Sequence, residues 1–444
     1  MAVYRMRTHT QHYDWGSRWM VPALTKDEAP GDVNFEAERD TASTPRRSED
    51  LVAEIWMGTH PRGPSYAETS PGTYEPLTEV LGRVGARELP FLFKILTAER
   101  GLSIQTHPSQ ALAREGFQRE TAEGIDRGAP HRMYRDRNHK PELLCAVDDF
   151  WGLRGFRPLE ELQTEMQGFM NVLQQPAADT LRGALQVFVS SPTESTWREA
   201  FAALLQSAEG AARAAVVSAL QTYCGTSNLG SSEPKRDNRY WWCRELLRQF
   251  PGDLGAAAPL YLNLVHLNPG EAIFLEAGVL HAYLYGAGVE LMAASDNVLR
   301  AGCTSKHVDR RELLRALGFV LEPAAVLSPA AEMCGDGRMT RYRTSADEFE
   351  LLRYALPPGV NHGRISLTKS RESVAVVLSL GTTAGVFEEP KQLPAVMGRS
   401  VELSSTEAAV VDYGTDRFMV ELHAGGVAYV AGVPGAITCT GNQK

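Results

Sequence analysis

Short blocks of hydrophobic residues, several of them alternating with polar residues, occupy two separate parts of the chain and predict β-strands. One part precedes residue 160 and the other follows residue 260, and turn-forming residues separate the blocks in both. Short strands at turn-punctuated spacing, which continue over 345–440, are typical of a sandwich or a barrel. The clearest blocks are 91–96, 102–107, 142–147, 261–267, 271–275, 374–378 and 408–411.

Between these parts, from residue 159 to about residue 250, the hydrophobic spacing is that of helices. Thr196 and Glu199 can form a capping box at the start of one helix. An Ala-rich helix is predicted over 211–221, and Pro251 with Gly252 would stop a later one. We therefore predict an all-α insertion at 156–255. Two helix faces carry its apolar side chains, Trp197, Phe201, Leu204 and Leu205 on one and Trp242, Leu246 and Phe250 on the other.

Three polar segments are predicted to have no regular structure. Residues 26–50 carry many charged and few apolar side chains, which indicates a surface loop or a substrate lid. Residues 116–137 are polar and irregular, and 225–238 form a polar loop within the helical part.

A weak internal repeat relates 270–282 to 424–436 and places His281 opposite Gly435. Two β-barrels of common design, only one of which carries a polar site, would explain the repeat. A chance similarity of strand–turn segments is the alternative. With two barrels, the chain divides into a catalytic barrel (1–155 with 256–325), the helical insertion (156–255) and a C-terminal barrel without metal (326–444).

Composition and charge exclude several classes of protein. The 444 residues are 43% hydrophobic and 22% charged, which is ordinary for a globular protein with a large core. The formal net charge of −9 argues against non-specific nucleic-acid binding, which needs clustered basic residues. The sequence contains no run of about 18 apolar residues, so we expect no membrane span. We also expect no signal peptide, because the first residues lack an apolar core.

The cysteines are far apart in sequence, and no two of them form a C-x-x-C pair. We therefore expect reduced thiols in a cytoplasmic protein, rather than a disulfide framework or a cysteine-based zinc site. The six are Cys145, Cys224, Cys243, Cys303, Cys334 and Cys439.

Candidate metal ligands lie in the strand-rich part before residue 160. Gln105 and His107 are two residues apart on a predicted strand, so both side chains point to the same side, where either can bind zinc. Further along, His139, Lys140 and Glu142 supply a base, a cation and a carboxylate at the edge of a strand. Structural roles in a strand core and at a solvated strand end are the alternatives.

A second set of polar residues lies in 281–307. His281 is surrounded by small and apolar residues, where a hydrogen-bonded core histidine is the alternative to a ligand. Two carboxylates, an arginine and a lysine follow closely, which suggests acid–base chemistry with an anion clamp. A surface ion-pair network is the other interpretation. These four residues are Glu290, Asp296, Arg300 and Lys306.

The most informative stretches are QHYDWGS at 11–17, EIWMGTHPRGPS at 54–65, PFLFKIL at 90–96, LSIQTHP at 102–108, NHKPE at 138–142, GxxHAYL at 278–284 and SDNVLRAG at 295–302. Their combination and order resemble those of the type I mannose-6-phosphate isomerases, from about residue 4 to 315 and more loosely to the end. The chain departs from the family pattern in its longer 26–50 segment and in Glu276, which occupies a common proline position. Cys303-Thr304-Ser305-Lys306 also replaces a common Leu-Thr-Pro-Lys.

The resemblance implies a zinc-dependent cupin enzyme that interconverts mannose 6-phosphate and fructose 6-phosphate. It implies a mainly β fold of two cupin-type, jelly-roll barrels with the all-α insertion. One zinc ion per chain would be held by Gln105, His107, Glu142 and His281, and Arg300 would be the active-site arginine. This ligand set leaves room for substrate oxygens, and Arg300 can offset charge that develops on an ene-diolate.

The isomerisation moves a proton between C2 and C1, and ionisable residues near the metal are expected to carry it. Lys140 and Asp296 are the favoured residues, for ring opening and proton relay. His139, Glu290 and Tyr283 are the other candidates.

The substrate phosphate carries about −1.5 to −2 charge at neutral pH, so a protein of net charge −9 must supply local cations. Arg300 offers a fork of donors and Lys306 a point charge. Ser103 shares a strand face with the metal ligands at 105 and 107. We therefore expect Ser103, Arg300 and Lys306 to line the phosphate end of the pocket. Pairing of Lys306 with a surface carboxylate is the alternative.

Two other functions remain open from the sequence. One is a metallocupin that binds sugar phosphates without turnover, and the other is an iron-dependent cupin oxygenase. An oxygenase prefers two histidines and one carboxylate, so Gln105 and the Arg- and Lys-rich flank favour zinc and a phosphosugar. We expect a small sugar phosphate as the partner, no nucleic acid, no membrane, and a monomer.

Overall fold

The computed structural model describes most of the chain between Val3 and Cys439. The predicted loop or lid at 26–50 lies outside the described residues. These are 3–18, 20–24, 51–83, 85, 88–226, 236–369, 374–380, 384–388, 400–403, 408–411, 417–423 and 427–439.

The strands agree with most of the predicted blocks. Those before residue 303 are β1 (Val3–Arg7), β2 (His9–Gln11), β3 (Glu54–Met57), β4 (Tyr66–Ser70), β5 (Thr73–Pro76), β6 (Phe91–Ala98), β7 (Ile104–Thr106), β8 (Glu142–Ala146), β9 (Phe150–Phe156), β10 (Leu262–Leu267), β11 (Ala272–Leu275), β12 (His281–Ala293) and β13 (Leu299–Gly302). Those after it are β14 (Glu332–Cys334), β15 (Gly337–Tyr342), β16 (Glu350–Ala355), β17 (His362–Lys369), β18 (Ala375–Leu380), β19 (Ala384–Glu388), β20 (Ser400–Leu403), β21 (Ala408–Val411), β22 (Arg417–His423), β23 (Val427–Gly432) and β24 (Ile437–Cys439).

The helices lie mainly between β9 and β10, as predicted. They are α1 (Met20–Leu24), α2 (Leu77–Gly82), α3 (Gln110–Ala122), α4 (Leu159–Val172), α5 (Asp179–Ser190), α6 (Glu194–Gln206), α7 (Gly210–Thr226), α8 (Arg239–Gln249), α9 (Ala258–Tyr261) and α10 (Arg310–Ala316), with 3₁₀ turns at Pro176–Ala178 and Leu254–Ala257. Among the residues described, no helix is long and apolar enough to cross a membrane.

Strand β12 is the centre of a ten-stranded antiparallel sheet. All of its residues are buried, and it pairs with β6, β7, β8 and β9. The register places Gln105 of β7 opposite both His281 of β12 and Arg300 of β13. The sheet therefore brings three motifs that are far apart in sequence to one place.

The C-terminal strands form two further antiparallel sheets. One has nine strands in the order β14-β15-β16-β23-β18-β21-β1-β4-β5, so strands from the N-terminal part complete it. The other has the order β20-β19-β22-β17-β24. The protein is therefore mainly β, as predicted. None of the three sheets closes into a barrel in the part of the chain that the structure describes, and the two-barrel arrangement stays a prediction.

The helical segment bears out the predicted apolar faces but corrects one helix start. Trp197 and Phe201 of α6 and Trp242 of α8 are each at most 2% exposed. The capping box at the start of α6 consists of Thr193 and Thr196, each side chain bonded to the other's backbone N–H, not of Thr196 and Glu199. The helix therefore begins about one turn earlier than expected, directly after Pro192 and the Thr193 N-cap.

The segment 116–137 is more ordered than its polar sequence predicts. Helix α3 extends to Ala122 from an N-cap at Ser109, whose side chain accepts a hydrogen bond from the Leu112 backbone. Gly116 lies in this helix because the ring of Tyr134 packs against it, and an added Cβ would lie 2.3 Å from that ring. In the sequence Gly116 indicates a loop, but in the structure this glycine allows close packing within a helix.

Two cysteines do not fit the expectation of reduced thiols. Cys334 on β14 and Cys439 on β24 form a disulfide with a Cα–Cα distance of 6.2 Å. They are 105 residues apart in sequence, and only the packing of the nine-stranded against the five-stranded sheet brings them together. The other four cysteines are free and buried.

Candidate active site

Three buried side chains meet where β7, β8 and β12 adjoin. His107 follows β7, Glu142 begins β8 and His281 begins β12, and each is at most 1% exposed. Nε2 of His107 lies 3.3 Å from one oxygen of Glu142, and Nε2 of His281 lies 3.4 Å from the other. Ligand atoms of all three lie within 4.8 Å of one another, so these residues can hold one metal ion.

The facing atoms of this cluster have no hydrogen-bond partner. They are Nε2 of both histidines and Oε2 of Glu142, all buried. Leaving such atoms unsatisfied is costly, and a cation between them would remove that cost. The histidines are also prepared for metal binding, because Nδ1 of His107 donates to the Asn297 carbonyl at 2.7 Å and Nδ1 of His281 to the Val279 carbonyl at 2.9 Å. Each Nε2 lone pair therefore faces the cluster.

Electrostatics keep the cluster in the form that binds metal. Burial lowers the pKa of His107 to about 4, against the opposing charge of Glu142, so its imidazole is neutral at physiological pH. Burial would raise the pKa of Glu142, but Lys140 and the two imidazoles lower it well below its usual range. Lys140 Nζ lies 2.8 Å from Glu142 Oε1 and is itself buried.

Gln105, the fourth predicted ligand, lies beside the cluster. It is directly opposite His281 on the neighbouring strand, and residues in such pairs project from the same face of the sheet. Its side-chain oxygen accepts a hydrogen bond of 3.1 Å from the Ser103 hydroxyl. Ser103 thus lies next to Gln105, and its place at the metal-binding face stays a prediction.

Asn297 connects the cluster to the segment that leads into Lys140. Its side chain is fully buried and accepts hydrogen bonds from the backbone N–H groups of Arg135 (2.7 Å) and Asp136 (3.2 Å). It donates to the carbonyls of Asp136 (3.0 Å) and Asn138 (2.9 Å). Its own carbonyl holds His107, so one residue fixes both a metal ligand and the preceding turn of the 138–142 motif.

Asp296 lies next to this connection but faces Arg62 and His60. Its Oδ1 contacts the Arg62 guanidinium and lies 3.4 Å from His60 Nε2. Burial raises the pKa of Asp296, but the hydrogen bond and charge of His60, with Arg62 and Lys140, outweigh it and lower the pKa to about 2. Asp296 is therefore ionised throughout the physiological range.

A second buried network lies across β3, β6 and β12. Lys94 Nζ lies 2.7 Å from Glu290 and 3.6 Å from Glu54, and the Tyr283 hydroxyl donates to the other Glu290 oxygen at 2.8 Å. Burial would lower the pKa of Lys94, but Glu290 and Glu54 raise it. Burial raises the pKa of Glu290 and of Tyr283. The charge of Glu142 acts on all three, so the network lies close to the metal cluster.

Positive side chains gather on the other flank of Gln105. Burial and the neighbouring Arg135 lower the pKa of Arg300 to about 10. Partial burial, then Arg300, Arg62 and Arg135, lower the pKa of Lys306. Like charges in close proximity are unfavourable without an anion, so this group can bind one.

His139 points away from this group. Its Nε2 lies 2.6 Å from Glu348, in the turn between β15 and β16. Lys140 and Glu142 share one side of an extended segment and His139 lies on the other, so the structure places it at the contact with the C-terminal strands.

Sequence reasoning missed Lys94, Arg62 and Arg135 at this site. Lys94 is the single charged residue within the apolar block 91–96, and a buried charge of that kind is a signal for a paired functional site. Arg62 and Arg135 lie in irregular segments, where sequence offers no periodicity to orient them.

Comparison with known proteins agrees with this geometry. Residues 3–159 match the family model of the phosphomannose isomerase type I catalytic domain. Mannose-6-phosphate isomerase of Escherichia coli (strain K12) is 34% identical over 94% of this chain and 98% of its own length. Mannose-6-phosphate isomerase of Bos taurus is 31% identical over 91% of this chain and 94% of its own length.

Solved structures of similar proteins cover almost the whole chain. A zinc-bound mannose 6-phosphate isomerase superposes with a TM-score of 0.76 at 28% identity, covering 97% of this chain and 99% of that one. A single-residue variant of phosphomannose isomerase from Salmonella typhimurium gives the same TM-score, identity and coverage.

Proposed function

This chain belongs to the type I mannose-6-phosphate isomerase family, and we propose that its pocket interconverts D-mannose 6-phosphate and D-fructose 6-phosphate. The observation that carries this function is the set of three buried, unpartnered ligand atoms beside a group of cations. It is an aldose–ketose isomerase, and its metal is zinc.

His107, Glu142 and His281 are the residues that would hold the metal, with Gln105 as a fourth ligand. Their donor set, two imidazoles, a carboxylate and an amide oxygen, suits zinc. Zinc held there would supply Lewis-acid polarisation of substrate oxygens. The protein's own part is to keep the His107 imidazole neutral and the Glu142 carboxylate ionised.

For proton transfer we propose Lys140 and Asp296 as the principal pair. Lys140, a buried ammonium next to Glu142, can donate a proton to the ring oxygen as the sugar opens. Asp296 is ionised, so it can accept a proton during the exchange between C2 and C1, and His60, 3.4 Å away, holds it in position.

Glu290 and Tyr283 are better suited to hold a proton than to release one. Burial raises the pKa of both, and their mutual hydrogen bond, with Lys94, fixes their positions. We propose that they set the field around the metal cluster. His139, paired with Glu348, orients the segment that carries Lys140.

We propose that the phosphate binds between Arg300 and Lys306, with the Ser103 hydroxyl at its edge. Arg300 is opposite Gln105 in the sheet, so it can contact both the phosphate and the reacting carbons. The mutual repulsion of Arg300, Lys306 and Arg135 supports this proposal, because a phosphate would relieve it.

We propose the same division of the chain as the sequence indicated: a metal-binding cupin module of 1–155 with 256–325, the insertion 156–255, and a cupin-like C-terminal module of 326–444 without metal. Gly435 supports the last point, since it adopts a positive φ of 71° in a turn where a ligand histidine would be needed. We further propose a cytoplasmic monomer that binds a sugar phosphate and neither nucleic acid nor membranes.

A direct product assay tests this function. Zinc-loaded protein is mixed with mannose 6-phosphate, and fructose 6-phosphate is measured over time. Formation of fructose 6-phosphate supports the isomerase. Binding without product would indicate a sugar-phosphate-binding metallocupin, and oxygen consumption with an iron-loaded protein would indicate an oxygenase.

A further inference from the structure

The chain bends sharply just after Arg300, and the bend has an unusual backbone. Cys303 has a φ of 51°, the one positive value among the described residues other than glycine. Such a conformation is sparsely populated and persists only where its surroundings hold it. Three residues later the same bend, 303–306, presents Lys306.

Asp253, at the exit from the helical insertion, holds this bend through hydrogen bonds. One oxygen of its carboxylate accepts from the Thr304 backbone N–H at 3.2 Å, and the other accepts from the Gly255 N–H at 2.8 Å. The Thr304 hydroxyl in turn accepts from the Lys306 N–H at 3.0 Å. A continuous chain of bonds therefore runs from the insertion to the Lys306 backbone.

Two glycines allow this contact to be made backbone to backbone. A Cβ added to Gly255 would lie 2.6 Å from the Cys303 nitrogen, and a Cβ added to Gly302 would lie 2.7 Å from the Gly255 Cα. Both distances are shorter than real Cβ contacts, so only glycine fits at either position. The exit of the insertion thus packs directly against the bend.

The segment that leads into the bend borders a cavity. This cavity of about 250 Å³ is lined by Asp253 itself, Ala301, Gly302, Val308 and Arg310 among others. Without the Asp253 bonds, the cavity leaves space into which this segment can shift.

We propose that Asp253 is a positioning residue for the substrate phosphate, fixing the 303–306 bend so that Lys306 faces the anion that Arg300 contacts. The helical insertion then has a role in substrate binding. This inference rests on the proposed binding of phosphate by Lys306. The metal ligands lie on other strands, so Asp253 acts on substrate binding and not on zinc.

Asp253→Ala is expected to raise the KM for mannose 6-phosphate about tenfold or more, with kcat changed by less than about threefold and zinc content unchanged. Asp253→Asn, which keeps one acceptor oxygen, should give a smaller rise. Gly255→Ala should raise KM as well, because its Cβ displaces the bend. Gly183→Ala in α5, where an added Cβ meets nothing within 4 Å, is the matched control and should leave both constants unchanged.

The double variant Asp253→Ala/Lys306→Ala separates positioning from a general structural effect. If Asp253 acts through Lys306, its substitution adds little once Lys306 is absent. Additive rises in KM, an unchanged KM in the Asp253 variants, or parallel losses of kcat and zinc would overturn the inference. An unchanged KM in Lys306→Ala alone would instead contradict the proposed phosphate site.

Discussion

The carbonyl of Asn297 accepts a hydrogen bond from Nδ1 of His107 at 2.7 Å, while the Asn297 side chain bonds the backbone over 135–138. The buried residue Asn297 therefore fixes both the metal ligand His107 and the turn that precedes the 138–142 motif. The arrangement gives the Nδ1–H tautomer of His107 and directs Nε2 to the metal position.

We expect Asn297→Ala to lower zinc affinity about 10- to 100-fold, the usual effect of losing an outer-sphere partner of a metal ligand. The reason is that the carbonyl loses its fixed position when the side-chain bonds are removed. Competition with a chromophoric chelator measures the affinity. Asn238→Ala is the control, because Asn238 caps α8 in the helical insertion through two backbone bonds and lies outside the metal cluster. Equal affinity in all three proteins would count against this role.

Removing the charge of Lys94 should destabilise the fold. Lys94→Met leaves Glu290 and Glu54 buried without their cation, and breaking a buried pair in this way costs about 3–5 kcal/mol. Urea unfolding measures the loss. The double variant Lys94→Met/Glu290→Gln should recover part of it, since one uncompensated charge is removed. A double variant less stable than Lys94→Met would contradict the pairing.

Lys140→Met and Asp296→Asn should each lower kcat by roughly 10²–10⁴, the usual cost of removing a general acid or base. Zinc content must be measured in parallel, because Lys140 contacts the metal-ligating carboxylate. Near-full turnover in both variants with normal zinc content would reject the assignment of proton transfer to this pair.

Lys306→Ala should raise the KM for mannose 6-phosphate by the loss of a charge-assisted contact, about 1.5–3 kcal/mol. Residual affinity for unphosphorylated mannose should scarcely change. The comparison of the two sugars is the measurement. Equal losses for both would mean that Lys306 supports the fold and does not bind the phosphate.

Local periodicity predicts which residues of a strand share a face. Gln105 and His107 were placed on one face by their two-residue spacing, and the register with His281 agrees with it. The same alternation rule separates Lys140 from His139, and the structure turns His139 towards Glu348. The contact between His139 and Glu348 depends on how strands far apart in sequence pair, and no local sequence pattern predicts it.

Other features depended on long-range packing and were therefore not predictable. The Cys334–Cys439 disulfide joins strands of two sheets, and cysteine spacing alone does not indicate such a pair. Gly116 lies in a helix beneath Tyr134, although its polar surroundings in the sequence predict a loop. Arg135 joins the cation group from an irregular segment whose backbone donates a hydrogen bond to the Asn297 side chain.

The most direct test of the account is a zinc titration of metal-free protein, with isomerase activity as the readout. Protein dialysed against a chelator should be inactive towards mannose 6-phosphate and should regain activity linearly up to one zinc ion per chain. His281→Ala should stay inactive at that ratio, because it removes one of the three buried ligands. Full activity in the chelator-treated protein, or recovery of His281→Ala at one equivalent, would contradict the central claim.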